Sequence, residues 1–362
     1  MNNRFLFLPL ILASVFISTC SQTNEPKPPE YKDPREMTWT ADTLIVPEDW
    51  VIQVLPEDML VLSPDDIWLS VWVGHAQMWH YNGTKWENKR DIGGGINTIV
   101  KRDGDDLWAG GYSGDFMLLA HYEGTDWATY KMLQTHQLYN SYSDKNIRGE
   151  ILDMCVDKDN NLWACGRKGI IFKYDGIQWD VDTVRMPNYP IDSYFLKSIE
   201  YFDNKLHVLV AMYNSPIHNE AHFYITGNLN NWSIVDSMII STESGYTKWG
   251  SRNLFAFGND NLFSYGETGI WNLRLNSWSK ILDVAGAISS FYSINQDYTI
   301  AVGDFRKILY YNGSSWKEIN ELLSIDDPHF CFSVSWTDGN EIFVGGYTVD
   351  GWPQRGIIWH GE

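Results

Sequence analysis

From residue 65 to its end the chain alternates short apolar stretches with polar, glycine-bearing turns. Asp157–Trp179, DKDNNLWACGRKGIIFKYDGIQW, spells the pattern most clearly. An acidic turn over Asp157–Asn161 leads into Leu162–Cys165, a loop over Gly166–Gly169 leads into Ile170–Tyr174, and Asp175-Gly176 leads into a segment opened by Trp179. Period-two alternation bounded by Asn, Asp and Gly predicts an antiparallel meander. Asn82-Gly83, Glu123-Gly124, Asp175-Gly176 and Asn312-Gly313 suit tight hairpins that need positive φ.

The same unit is written seven times, over Asp65–Trp86, Asp105–Trp127, Asn160–Trp179, Asp203–Trp232, Asn259–Trp278, Asp297–Trp316 and Gly339–Gly361. Its anchors Trp68, Trp108, Trp163, His207, Phe263, Ile300 and Phe343 recur every 37 to 56 residues. Each interval holds one further strand-like segment, such as Ile96–Lys101, Ile151–Val156 or Phe332–Trp336. Four short strands at that spacing predict a propeller blade. The seventh copy stops before its own Trp-led outer strand, and Met37–Leu44 supplies one, led by Trp39. The expected fold is therefore an all-β, seven-bladed β-propeller of four-stranded antiparallel blades, closed by the N-terminal strand so that no sheet edge is left open. Ten of the 18 Trp fall at recurrent positions, and such regularity reads as blade packing rather than ligand contact.

The string Asp157–Gly166, followed by Gly169–Gly176, resembles the repeats of the two-component-regulator propeller family. The resemblance runs from Trp39 to the end and implies the propeller fold; that family's propellers resemble glycan-sensing periplasmic inputs. With no transmembrane helix or kinase following, the whole is similar rather to bacterial lipoprotein propellers. Fold alone implies no single activity.

Composition sharpens this. Aromatics make up 15% and hydrophobic residues 44%, enough for a sizeable core. The formal charge of -19 repels phosphate backbones, so nucleic acid is not an expected partner. Residues 1–19 read as a signal peptide, with Arg4 ahead of the apolar run Phe5–Ile17. Ile17-Ser18-Thr19-Cys20 resembles a lipobox, which makes Cys20 the expected lipidation site. Residues 20–36, with four of the 13 Pro, read as a flexible tether, and 37–362 as the propeller. The expected location is a bacterial envelope membrane, the outer one favoured, with the domain facing periplasm or cell surface and monomeric. Cys155 and Cys165 flank a turn and could bond across a hairpin; buried free thiols are the preferred reading.

Propeller topology sorts the loops by face. Loops between blades and between second and third strands share one face, and all the long insertions belong to it: Met132–Glu150, Thr183–Phe195, Tyr213–His222, Ser241–Asn253 and Tyr347–Gly356. Long loops on a rigid scaffold are the usual place for binding. The candidate binding residues there are His136, Tyr139, Tyr142, Arg148, Arg167 and Lys168, with Arg185, Tyr189, Tyr213, His218 and Tyr246. Trp249, Arg252, Trp352 and Arg355 complete the set, the two Trp lying outside the repeat pattern.

No catalytic residue is assigned. Asp157-x-Asp159-x-Asn161 opens like an EF-hand loop, but Leu162 stands where Gly is required. The nine His show no zinc spacing, and neither a nucleophile elbow nor a phosphate loop is present. No metal and no cofactor are expected. The leading function is a membrane-anchored, non-catalytic binding or scaffold lipoprotein that recognises a glycan or an envelope protein on the long-loop face. The alternative is a carbohydrate-active enzyme, glycosidase- or lyase-like, at the mouth of the central channel, with Glu150, Glu243 and Glu267 as carboxylates by loop position.

Overall fold

The structure is a computed structural model that describes residues 31–48, 50–114, 116–131, 149–187, 194–214, 219–240, 248–258, 261–322 and 329–362. The propeller unit begins at Lys32. Lys32 donates to the Gly339 carbonyl and Trp39 Nε1 to that of Pro34, so the end of the expected tether, including a 3-10 turn at Pro34–Glu36, belongs to the domain.

The chain folds into seven four-stranded antiparallel sheets. A lead strand β1 (Trp39–Thr43) is followed by blade 1, β2 (Leu55–Ser63), β3 (Asp66–Trp72), β4 (Ala76–Tyr81) and β5 (Trp86–Asp91). Blade 2 is β6 (Gly95–Lys101), β7 (Leu107–Ser113), β8 (Phe116–Tyr122) and β9 (Trp127–Lys131); blade 3 is β10 (Ile151–Val156), β11 (Leu162–Gly166), β12 (Ile170–Tyr174) and β13 (Trp179–Thr183). Blade 4 is β14 (Tyr194–Phe202), β15 (Lys205–Asn214), β16 (Asn219–Asn228) and β17 (Asn231–Ile240). Blade 5 is β18 (Asn253–Phe257), β19 (Asn261–Gly266), β20 (Gly269–Arg274) and β21 (Ser277–Leu282). Blade 6 is β22 (Ile288–Asn295), β23 (Tyr298–Gly303), β24 (Lys307–Tyr311) and β25 (Trp316–Glu318). Blade 7 is β26 (Phe330–Thr337), β27 (Ile342–Thr348) and β28 (Gly356–Gly361), with β1 as its fourth strand.

That closure is the expected one: Trp39 pairs with Gly361 and Thr43 with Ile357. The innermost strands then form a ring in which β26 packs against β2. The recurrent Trp residues join blades. Trp68 of blade 1 meets Trp127 of blade 2 edge-on, with ring centres 5.4 Å apart, and Trp108 of blade 2 meets Trp179 of blade 3 at 5.7 Å. The core lies in these seams; Trp108 and Leu119 share one cluster with Met154, Leu162 and Phe172 of the next blade. The expected hairpin glycines carry positive φ, from 82° at Gly83 to 95° at Gly176.

One expectation changes, and the preferred reading of the two cysteines holds. Tyr213–His222, expected as a loop, is mostly sheet: β15 runs to Asn214 and β16 starts at Asn219, with Tyr213 opposite Glu220. The alternation of Leu206, Val208, Val210 and Met212 carries the ladder outward. Cys155 lies opposite Trp163, and Cys165 opposite Asp153, so the two thiols are out of register for a bond. Both are free and buried, and burial raises their pKa well above the usual thiol value.

One feature of the inner strands was not legible. A one-residue irregularity recurs near the start of β2, β6, β10, β14, β22 and β26, for instance between Pro56 and Asp58 and between Ile151 and Asp153. Just past it, a short polar side chain latches the next blade. Asp58 accepts from Ile99 N at 2.6 Å, Asp153 from Ile199 N at 2.9 Å, and Ser198 Oγ from Leu254 N at 2.9 Å. Ser290 and Ser335 bond at 3.0 Å across blades 6 and 7. Bulges near a barrel rim re-aim side chains, and here they turn them onto the neighbouring backbone.

Candidate functional site

Each inner strand begins, and each second strand ends, on the long-loop face. Between blades 1 and 2, at that end of the strands, lies a cavity of about 390 Å³. Leu55 and Glu57 enter it from the start of β2, Trp72 from the end of β3, Asn97 from β6, Tyr112 from the end of β7, and Glu150 from the residue ahead of β10. The cavity therefore reaches the innermost edge of three consecutive blades.

Its walls are set by backbone geometry. The Trp72 and Tyr112 rings are half-buried, with centres 6.3 Å apart. A Cβ on Gly95 would stand 2.2 Å from the Tyr112 ring, and one on Gly94 would stand 2.1 Å from the Tyr112 carbonyl oxygen. Gly94 and Gly95 are thus what let Tyr112 lie against the chain.

The two carboxylates differ in environment. Glu150 is tied down: Arg167 Nε donates to its Oε2 at 2.7 Å and Asn97 Nδ2 to its Oε1 at 2.9 Å. Glu57 is exposed and makes no hydrogen bond or ion pair with a described residue. Crowding raises its carboxyl above the ordinary value, a pull that the open water beside it tempers. Burial, then the charges of Glu150 and Glu57, raise the Tyr112 phenol as well.

A second feature of this face lies at the seam of blades 7 and 1. The segment ahead of β2 runs beside the β27–β28 loop: Gln354 N donates to Ile52 O, Val54 N to Gln354 O, and Gln53 Nε2 to Gln354 Oε1 at 2.7 Å. Trp50 (60% exposed), Ile52, Val349 and Trp352 (64% exposed) all lie on the two segments that this short parallel bridge joins. Trp50 lies beside His75, with ring centres 6.0 Å apart.

The residues expected to bind from sequence fare unequally. Trp352 and Arg355 are exposed on this face. Arg167 is committed to Glu150 and lies 4.6 Å over the Phe195 ring. Lys168 sits in the left-handed turn beside it, at φ 63°. Arg185 is exposed, just after β13. Arg252 donates to Ser289 Oγ at 3.0 Å and pairs with Glu267 at 3.5 Å. Trp249 is a correction: expected on the surface, it is fully buried with Leu209, Tyr224, Met238, Leu254 and Leu262 in the seam of blades 4 and 5. An indole following the outer strand gains more by filling that seam than by facing water. Cys20, His136, Tyr139, Tyr142, Arg148, Tyr189, His218, Tyr246 and Glu243 lie outside the described residues, as does the side chain of Tyr213.

Sequence reading missed Glu57, Trp72, Asn97 and Tyr112, and also Trp50 and Ile52. Three signals were available. Trp72 is a Trp outside the repeat positions, Gly93-Gly94-Gly95 is a glycine run ahead of a strand, and Trp50-Val51-Ile52 is an apolar run between the closing strand and the first repeat. As for the channel acids, burial raises Glu267, but the Ser251 hydroxyl and Arg252 more than offset it, and its pKa is lowered overall. Among the described residues no group of three His, Cys, Asp or Glu could hold a metal, and no helix is long and apolar enough to cross a membrane.

Solved structures place the fold. Ycf48 from Cyanidioschyzon merolae superposes at a TM-score of 0.53, with 13% identity over 89% of this chain and 98% of that one. Ycf48 bound to D1 peptide gives 0.57, 14%, 91% and 96%, and the WD40 propeller domain of Doa1 gives 0.54, 12%, 89% and 97%. At these identities the likeness is one of fold, and it makes the chain a seven-bladed propeller with WD40-like neighbours. No family model and no curated protein matches the sequence.

Proposed function

We propose that the propeller is a non-catalytic binding module, lipid-anchored through Cys20 in a bacterial envelope, that captures a segment of a protein partner on its long-loop face. The observation that carries this reading is the apolar group at the seam of blades 7 and 1. Trp50 and Trp352 alone would suit a sugar face as well as a protein. Ile52 and Val349, exposed on the same two segments, do not stack on sugars, and mixed aromatic and aliphatic exposure is the chemistry of a protein contact. A propeller of the same architecture, Ycf48, has been solved with a peptide bound, which supports a peptide-sized partner on such a scaffold.

A photo-crosslinking residue placed at position 352 of the full chain, in its own envelope, is expected to give a discrete protein adduct. Trp50→Ala is expected to abolish it, and the same crosslinker at position 177, on the short-turn face, is expected to give none. Equal adducts from both positions would overturn the choice of face. Binding on a glycan array, lost in Trp352→Ala and without any protein adduct, would overturn the choice of partner.

One observation favours a second reading, glycoside hydrolysis: Glu57 and Glu150 line the same cavity, and Glu57 has the raised pKa of a proton donor. Against it, both oxygens of Glu150 are already engaged by Arg167 and Asn97. Hydrolysis of aryl glycosides or polysaccharides by the purified domain, lost in Glu57→Gln, would establish it over the binding reading.

A further inference from the structure

The cavity between blades 1 and 2 adds a chemical demand to that face, and the inference rests on the protein-partner reading above. We propose that this cavity receives a basic side chain, lysine or arginine, from the bound segment.

The cavity holds an unpartnered acid in a shaped space. Two carboxylates enter the cavity and a single cation, Arg167, answers one of them. Glu57 is left with no partner among the described residues. The Trp72 and Tyr112 rings line the same cavity, and aromatic faces attract ammonium and guanidinium groups. Leu55, Val71, Ala76 and Ile96 supply apolar wall for an alkyl stem, the way long basic side chains bury their methylenes while the head keeps polar company.

Other occupants fit less well. An anion would meet two carboxylates, while the Asn97 amide that could donate to it is spent on Glu150 and on the Ile151 carbonyl at 2.7 Å. A divalent cation lacks a third ligand, since no cluster of three suitable side chains occurs among the described residues. The volume, about 390 Å³, falls in the range of small-ligand sites, roughly 300–1,000 Å³. The net charge of -19 favours a cationic partner at long range as well.

The test uses blocked tripeptides Gly-Arg-Gly and Gly-Lys-Gly, with citrulline and norleucine versions as uncharged matches, against the full chain with Trp72 and Tyr112 resonances as readout. Arginine or lysine peptides are expected to shift those resonances and to bind at least tenfold tighter than the citrulline and norleucine ones. Glu57→Gln and Trp72→Ala are each expected to weaken binding at least tenfold, and Trp72→Phe to retain most of it, with unchanged thermal melts showing that the variants are folded. Equal binding of charged and uncharged peptides, no shift with any peptide at millimolar concentration, or full affinity in Glu57→Gln would each overturn the proposal. Trp352→Ala separates the two readings. It is expected to remove the protein adduct and leave tripeptide binding intact, so a protein adduct without a cation preference sinks the basic-side-chain receptor alone.

Discussion

The two faces of the propeller are built from the same strands and treat their polar groups in opposite ways. On the short-turn face the recurrent turn residues close on their neighbours. Asn82, Asp175, Asn312 and Asp338 each accept from the amides that follow them, and Tyr122, Tyr174 and Tyr311 each donate to the carbonyl of a glycine two residues on. Beneath those turns an acid and a histidine meet under an aromatic ring. His80 lies 2.8 Å from Asp66, His121 2.7 Å from Asp106 and His360 2.7 Å from Glu341, with Trp108 and Phe343 stacked on the last two imidazoles and Trp68 tilted against the first. Ile177 and Leu275 project alone at turn tips there, as isolated surface apolar residues commonly do. The long-loop face leaves Glu57 unanswered and Trp50 and Trp352 in water. A face that satisfies its own groups serves the fold, and one that leaves groups unsatisfied is set up to meet something else.

The sharpest way to break the comparison is to remove one acid from the closed face. Asp106 accepts from Arg102 Nη1 at 2.8 Å and from Trp108 Nε1 at 2.8 Å, besides meeting His121. Arg102 is itself buried, bonds the Asn160 carbonyl of blade 3 and lies 5.0 Å over the Tyr174 ring. Asp106→Ala strands that guanidinium in the seam, and chemical denaturation is expected to show a loss of roughly 3 kcal/mol. A loss within the scatter of ordinary surface substitutions would show that the network is ornament rather than structure.

The acids of this network also mark the boundary of what sequence could tell. The seven repeats, the Trp-led outer strands and the closure by Trp39–Thr43 were readable because each repeats a local rule: alternation, a turn dipeptide, a packing aromatic. The Asp-x-Trp…His association was partly visible, since Asp66, Trp68 and His80 recur as Asp106, Trp108 and His121 at nearly fixed offsets. The cavity was not, because Glu57, Tyr112 and Glu150 come from three blades and no local rule joins them. Trp249 misled for the same reason: departure from the repeat pattern singled it out, but only the approach of blades 4 and 5 decides that it is buried. Loop length pointed to the right face; most residues of the cavity sit at strand ends, while Trp352 and Val349 lie in a long loop.

A smaller effect is expected from the latches of the inner ring, where the two regimes meet. Burial raises Asp58 to about 7, against the amides of Ile99 and Met59 and with the charges of Asp153 and Glu57 adding to the rise. Burial raises Asp153 to about 6 and Glu200 to about 8, the latter helped by Asp153. In each case the folded state holds a proton that the unfolded chain has given up, so stability is greatest below about pH 4 to 5 for these groups. It falls as pH rises towards 8. The three are only half-buried, and their combined effect between pH 5 and 8 is expected to be about 2 kcal/mol. Asp153 is the neighbour common to Asp58 and Glu200, so Asp153→Asn is expected to flatten the dependence measured by thermal unfolding across that range. A stability that rises with pH over the same window in the wild-type chain would overturn the assignment.

The smallest expected effect on stability is the most telling about the open face. Trp50→Ala and Trp352→Ala remove two large rings, a change that in a core costs about 3–5 kcal/mol. Both rings are mostly in water, and their backbones are held by bonds through Gln354, Ile52 and Val54 that the substitutions leave in place. Each is therefore expected to alter the denaturation midpoint by no more than the roughly 0.5 kcal/mol typical of surface changes. Trp249→Ala is the matched control: the same substitution at a ring packed among Leu209, Met238 and Leu262 is expected to fall in the core range. If Trp352→Ala instead destabilises as much as Trp249→Ala, its ring is part of the scaffold, and the contrast between a closed and an open face fails where the proposed binding surface depends on it most.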